Sequence, residues 1–269
     1  MVLTVELVLL EKIPRGKDRR FLGELEARLR DTSSGLAVDV KMIGLTKSRL
    51  PRVKCSGDDQ EAFIEILRRS YGVGPRNHLD LSDQPIRKGF VVRPSEREKA
   101  LLIDIGLESA TSSHVTLAAD RLRAQLFDGR NVLLRDMVAR CGFLEDYPLE
   151  LRIISHDEYS QRIEAELSDR QQSLIQEWRQ VPLDRVIAQN VLASEVSAAV
   201  KKARIERDLA AIENLSLCTH SLICKLGTHG RGIVPKLGPY LREARLFVFH
   251  PSSCNNTPLR IEANLSKTR

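Results

Sequence analysis

Between residues 85 and 154 short apolar runs alternate with turn residues, and one clear helical pattern interrupts them near the end. Arg87–Arg93, Lys99–Ile105 and His114–Ala118 read as strands, bounded by the charged turn Ser95–Glu98 and by Gly106. Arg121–Phe127 is helical or irregular. Asn131–Cys141 then places Leu133, Leu134, Met137, Val138 and Cys141 on one helical face with Gly142 at its C-terminal end, and Leu149–Ile154 returns to a strand. Several short strands with one helix before the last is the element order of a small closed barrel.

The flanks follow other patterns. Val2–Leu10 reads as a strand, and Asp18 opens a helix with Phe21, Leu22, Leu25 and Leu29 at helical spacing. Leu36–Ile43 alternates, with Leu36, Val38, Val40 and Met42 on one face, and Arg52–Cys55 is a further short strand. Asp58 to Glu61 has the D-x-x-E form of a capping box. The helix behind it is expected to turn Ala62, Phe63, Ile66 and Leu67 inward and to stop at Gly72. The result is a β-α-β-β-α unit over residues 1–78, closed by the punctuation of Gly74-Pro75. Beyond the barrel segment (79–154), a long helical stretch from Asp157 to Trp178, ended by Pro182, predicts a linking helix over 155–182. A C-terminal α+β unit follows over 183–250. It comprises a strand at Arg185–Gln189, a helix at Ser194–Ala203, a long strand at Leu215–Leu226, a Gly-rich turn and a strand at Ala244–Phe249. The tail, 251–269, is rich in Ser, Asn and Thr and is expected to be mobile. The fold class is α+β.

Charge narrows the partners. Lys and Arg number 42 against 36 Asp and Glu, a net +6. The excess sits in residues 1–79 (+4) and 155–269 (+3), while 80–154 carries −1. A mild, divided excess is compatible with a polyanion partner without requiring one. Five cysteines with no CxxC pair, no basic segment leading into an apolar secretory core, and no run near 18 apolar residues predict a cytoplasmic protein with reduced thiols and no membrane contact.

Lys88-Gly89-Phe90-Val91-Val92, Leu102-Ile103-Asp104-Ile105-Gly106 and Leu117-Ala118-Ala119-Asp120-Arg121-Leu122 resemble the S-one-type RNA-binding domain, an OB barrel. That resemblance covers roughly 85–154 and implies an RNA partner. The chain departs from the pattern on strand two, where Leu101, Leu102 and Ile103 replace base-stacking aromatics. Phe90 remains, with His114 as its neighbour. The chain as a whole also resembles an archaeal family of proteins of unknown function, through Leu122-Arg123-Ala124-Gln125-Leu126 with Gly129, Pro148-Leu149-Glu150, Cys224 to Thr228, and Ile233 to Gly238. That resemblance implies an archaeal cytoplasmic protein and supplies no activity.

Candidate contacts fall in three places. Lys12, Arg15, Lys17, Arg19 and Arg20 form one basic cluster; Lys47, Arg49, Arg52 and Lys54 form a second with no acid among them. Both flank strands, so they can converge on a phosphate backbone, although scattered solvated charge is the commoner outcome. The third place is Gly227-Thr228-His229-Gly230-Arg231-Gly232 with Lys236. Gly227 and Gly230 have the GxxG spacing that clamps nucleic-acid backbone in KH domains, but the spacings of a P-loop and of a dinucleotide fingerprint are absent. A tight turn is the plainer reading of these glycines.

Cys218, His220, Cys224 and His229 invite a zinc site, yet the six residues of strand from Cys218 to Cys224 span about 20 Å, too far for two ligands of one ion. Core packing is the better reading. No metal, no cofactor and no catalytic set is expected. His156-Asp157-Glu158 reads as a helix start, and Asp104 as a lone carboxylate at a strand end. The functional expectation is therefore non-catalytic RNA binding, ribosomal or otherwise translation-associated. The alternative is an adaptor that uses the barrel and the Trp178 helix to bind a protein. A third reading, nucleotide chemistry at the Gly-rich turn, needs His229 beside a carboxylate.

Overall fold

The computed structural model describes residues 4–16, 18–77, 80–92, 99–107, 114–157 and 162–251. In the first unit β1 (Val5–Val8), β2 (Val38–Leu45) and β3 (Pro51–Gly57) form an antiparallel sheet in the order β1-β3-β2. Helices α1 (Asp18–Ser33) and α2 (Gln60–Ser70) cover one face of it. The helical spacing of Phe21, Leu25 and Leu29 gives α1 one buried stripe, and Phe63 and Leu67 do the same for α2. Ala62 and Ile66, expected inward, are exposed, since the buried stripe on α2 is narrow. The expected capping box is absent. Asp59 is the N-cap residue, and its carboxylate accepts the Ala37 N–H at 2.7 Å, fastening the helix start to the entry of β2.

After the four-residue helix α3 (Asp80–Asp83) comes a closed five-stranded barrel. Its strands are β4 (Ile86–Val91), β5 (Ala100–Asp104), β6 (His114–Ala118), β7 (Pro148–Asp157) and β8 (Arg162–Leu167), in the cyclic order β4-β5-β6-β8-β7. All pairs are antiparallel except β6 with β8. Alternate residues point inward: Leu101 and Ile103, Val115 and Leu117, Leu149 and Leu151, Ile163 and Ala165 are all buried in one core. Helices α4 (Ala119–Leu126) and α5 (Leu134–Cys141) lie between β6 and β7 and close one end, with Leu122, Leu126, Met137 and Cys141 in the same core.

Residues 155–182 are therefore not one helix. β7 runs on to Asp157, so His156 and Asp157 end a strand and start no helix; Glu158 lies outside the described residues. Arg162–Leu167 is the strand that closes the barrel, and α6 (Asp169–Gln180) begins only after Ser168, whose hydroxyl caps Gln171 N–H at 3.1 Å. Ile163 and Leu167 are four apart, which places them on one side of a helix and of a strand alike. The even spacing concealed the strand. Trp178 on α6 is buried edge-on against Phe249 at 5.4 Å and offers no partner surface.

The last unit is an antiparallel sheet in the order β10-β11-β9-β12, built from β9 (Arg185–Gln189), β10 (Leu209–Ser216), β11 (Thr219–Cys224) and β12 (Arg245–Phe249). Helices α7 (Ala193–Ala203) and α8 (Gly230–Leu237) pack on it through Val196, Val200, Ile233 and Leu237. The single strand expected at Leu215–Leu226 is a hairpin, whose turn at Leu217-Cys218 carries neither Gly nor Pro to mark it. Helix α8 starts in what read as a glycine turn. The tail lies beyond the described residues from 252 onward. Among the described residues no helix is long and apolar enough to cross a membrane.

One carboxylate joins all three units. Glu11, 3% exposed in the loop after β1, pairs with Lys88 of β4 and accepts the Leu217 N–H of the β10–β11 turn at 2.8 Å. Phe90 is sealed into the same junction with Leu10 and Leu50.

Candidate functional site

A cleft of about 620 Å³ opens where the three units meet. The loop after β1 contributes Lys12 and Arg15, and the β2–β3 turn contributes Lys47 and Arg49. The barrel adds His114, Asp104, Glu145 and Asp146, and the last unit adds Asn190 and Arg245. Two basic clusters more than 30 residues apart in the chain therefore face one space.

The turn that carries Lys47 is held by its own backbone: Leu50 N–H donates to Thr46 Oγ1 at 3.0 Å and Thr46 N–H to the Leu50 carbonyl at 2.8 Å. Arg49 stands within it in the left-handed region (φ 67°). Its guanidinium donates to the carbonyls of Ile13 (2.9 Å) and Pro14 (3.1 Å) and pairs with Asp18. Arg49 thus clamps the first loop onto the second and has little charge left to offer. Arg15, Arg19 and Lys47 differ. All three are exposed and form no ion pair among the described residues. Arg19 sits with Arg15, Arg20 and Asp18 in a shallow groove continuous with the cleft rim. Arg20 lies over the Phe21 ring and pairs with Glu195.

The floor is acidic and partly buried. Asp104 ends β5 at 2% exposure; Oδ1 accepts the Gly106 N–H at 3.0 Å, and Oδ2 accepts Lys12 Nζ at 3.2 Å. It is not the isolated carboxylate that its sequence setting suggested. Lys12 also stands 3.7 Å from Asp146, a residue with left-handed backbone (φ 65°) in the turn before β7. Burial pushes the Asp146 carboxyl above its ordinary value; Lys12 opposes this and Glu145 adds to it. His114 is paired across the strands with Asp104.

Other expected contacts lie elsewhere. Arg52 and Lys54 belong to β3 and do not line the cleft; Lys54 stands between Glu6 and Lys41 on the open face of the first sheet. Lys17 lies outside the described residues. Phe90, at 1% exposure, cannot stack on a base, because its ring fills the junction of the first unit and the barrel. The Gly-rich segment turns at Gly227 (φ 84°), and Gly230 begins α8. Gly230 N–H donates to the buried carboxylate of Asp184 at 2.7 Å, and the same carboxylate pairs with His250. An anion approaching this helix start would meet a carboxylate already seated there. A Cβ on Gly230 would lie 2.8 Å from Val248, so packing accounts for that glycine. Arg231 is exposed on α8, and Lys236 pairs with Asp208 at 3.0 Å.

Cys218 packs in the core of the first unit and Cys224 in that of the last. His220 between them is buried and bonded to Asn214 and to the Val191 carbonyl, and burial lowers its pKa. Among the described residues no group of three metal-ligating side chains comes together.

Two of the segments that carried the whole-chain resemblance hold neighbouring elements together. The Gln125 amide brackets Leu167, accepting its N–H at 3.0 Å and donating to its carbonyl at 3.1 Å, which locks α4 to the end of β8. Glu150 accepts from the Ser168 hydroxyl at 2.6 Å, ahead of α6. Over residues 183–249, from β9 to β12, the chain matches the DUF2110 C-terminal domain, a domain of an uncharacterised family. No curated protein matches the chain.

Proposed function

We propose that this protein binds RNA without catalysing a reaction, gripping the phosphate backbone along the rim of the three-unit cleft. The observation that carries the reading is the convergence of Arg15, Arg19 and Lys47, exposed and without ion pairs among the described residues, beside Lys12 and Arg49. The barrel supports it: five strands close in the cyclic order β4-β5-β6-β8-β7, with one parallel pair and helices between the third and fourth strands, a layout compatible with an OB barrel.

The usual strand face of such a barrel is a poor platform here. β5 and β6 turn Ala100, Leu102, Thr116 and Ala118 outward, with the His114 imidazole at the start of β6 as a single ring beside them. On β8, Glu164 and Glu166 are matched by Arg121, Arg152 and Arg162. Phosphate contact is therefore assigned to the rim. The translation-associated setting in this proposal rests on the S-one resemblance, and the cytoplasmic one on the reduced-thiol reading and the whole-chain resemblance.

The test is fluorescence anisotropy with a single strand and a structured ribosomal RNA fragment between 50 and 300 mM salt. Each phosphate contact on a single strand contributes about 0.7 to the log–log salt slope, so replacing Arg15, Arg19 and Lys47 by Ala should flatten it by about 2. An unchanged slope would move the contact elsewhere. Weak binding to both RNAs at low salt would overturn the reading and favour a protein-binding adaptor.

A further inference from the structure

The rim of the cleft suits phosphate, but its floor does not. Asp104 and Asp146 share a single ammonium, that of Lys12, and only Asp104 receives a hydrogen bond from it, at 3.2 Å against 3.7 Å for Asp146. The floor therefore has acceptor capacity to spare, a third of the way into solvent at Asp146 (29% exposed). Beside it stand the Asn190 amide and the His114 ring, which hydrogen-bond or stack with bases in single-stranded recognition.

Backbone conformation converges on the same place. The described residues include five non-glycine positions with left-handed backbone, and three of them, Arg49, Asp146 and Asn190, line this cleft, one from each unit. Asp and Asn adopt this conformation more readily than other side chains, and such positions gather at binding and active sites. Four other clefts on the molecule hold at most one of the five each.

We infer that the cleft floor is a subsite for one unstacked base bearing an exocyclic amino group, donated to Asp146, while Arg15 and Lys47 hold the adjoining phosphates. This rests on the proposed function. A volume of about 620 Å³ falls in the range that encloses small ligands, about 300–1,000 Å³. Carboxylates read the cytosine amino group in the same manner. Uracil presents a carbonyl oxygen at that position and would set acceptor against acceptor. Burial raises the pKa of Asp146 against the opposing charge of Lys12.

The experiment compares oligocytidine and oligouridine of equal length at one salt concentration, with the whole protein and with Asp146→Asn. The variant keeps the left-handed backbone accessible and replaces an acceptor-only group by an amide. The expected result is at least about tenfold tighter binding of oligocytidine, reduced to within about twofold by Asp146→Asn, with the salt slope unchanged. Equal affinity for the two strands with a steep salt slope would overturn this inference and leave RNA binding intact. A preference that survives in Asp146→Asn would also overturn it, since the base would then be read elsewhere. Failure to bind either strand at low salt would overturn both readings.

Discussion

Glu11 offers the sharpest test of how the three units are held. Its carboxylate is 3% exposed, pairs with Lys88 of the barrel, and accepts the Leu217 N–H of the last unit. Glu11→Ala leaves that N–H buried without an acceptor, a cost of about 1–3 kcal/mol. It also strips Lys88 of its counter-charge. Removing one partner of a fully buried pair costs about 3–5 kcal/mol, but Lys88 keeps 21% exposure and water recovers part of this. The two effects together predict a loss of about 3–4 kcal/mol, a large share of the 5–15 kcal/mol typical of a folded protein. Glu11→Gln retains an oxygen for Leu217 and should cost about half as much. Urea denaturation followed through Trp178 is a suitable assay, because this single tryptophan is buried against Phe249 of the last unit's sheet. Lys88→Met should cost clearly less in the Glu11→Ala background than in the parent, as coupled partners do. A cost under about 1 kcal/mol for Glu11→Ala, or strict additivity with Lys88→Met, would refute the argument.

Three further outcomes are expected. Phe90→Leu should lower the urea midpoint through lost packing with Leu10 and Leu50, by about 1–2 kcal/mol, and leave RNA affinity unchanged; a selective loss of affinity would restore a stacking role. Gly142→Ala should destabilise by more than about 1 kcal/mol, because the position has φ 71° and a Cβ would lie 2.6 Å from the Phe247 ring; a neutral melting temperature would contradict that contact. Asp146→Asn should raise the melting temperature at pH 7. The folded pKa of Asp146 lies above its ordinary 3.8, with Lys12, Glu145, Arg245 and Arg15 as the charges acting on it. Its ionised form therefore costs stability above that folded value, and the cost is relieved as pH falls through it towards 3.8. The variant's advantage should shrink on acidification, and one that grew there would reverse the sign of the argument.

Much of the secondary structure was legible because it depends on local periodicity. The ranges of β6 and β9 coincide with the runs His114–Ala118 and Arg185–Gln189, whose alternating or wholly apolar character leaves little choice. β8 was not legible, because Ile163 and Leu167 satisfy both periods and only closure of the barrel decides between them. Helix α8 was hidden by Gly230, Gly232 and Pro235, residues that disfavour a helix locally and are accepted there through packing and the Asp184 cap. At the cleft, the basic rim could be read from charge density along the chain. The floor could not, since Asp104 and Asp146 are distant in sequence and meet only when the barrel closes, and Asn190 joins them only through docking of the last unit. A local signal did exist for Asp146: Glu-Asp-Tyr-Pro behind Gly142 is turn chemistry, and Asp tolerates left-handed backbone.

The parallel pairing of β6 with β8 has a consequence for how the chain is made. Val115 finds its partner Ile163 almost 50 residues later, after two helices and another strand have been laid down. At about 5–20 residues per second, the ribosome needs roughly 2–10 s to deliver that partner. Helices and hairpins form within microseconds. The nascent barrel must therefore wait as an open sheet, with the β6 edge unsealed, for a time very long by the standards of its parts. Helix α4, which follows β6 without a break, is the first element available to shield the apolar interior during that interval.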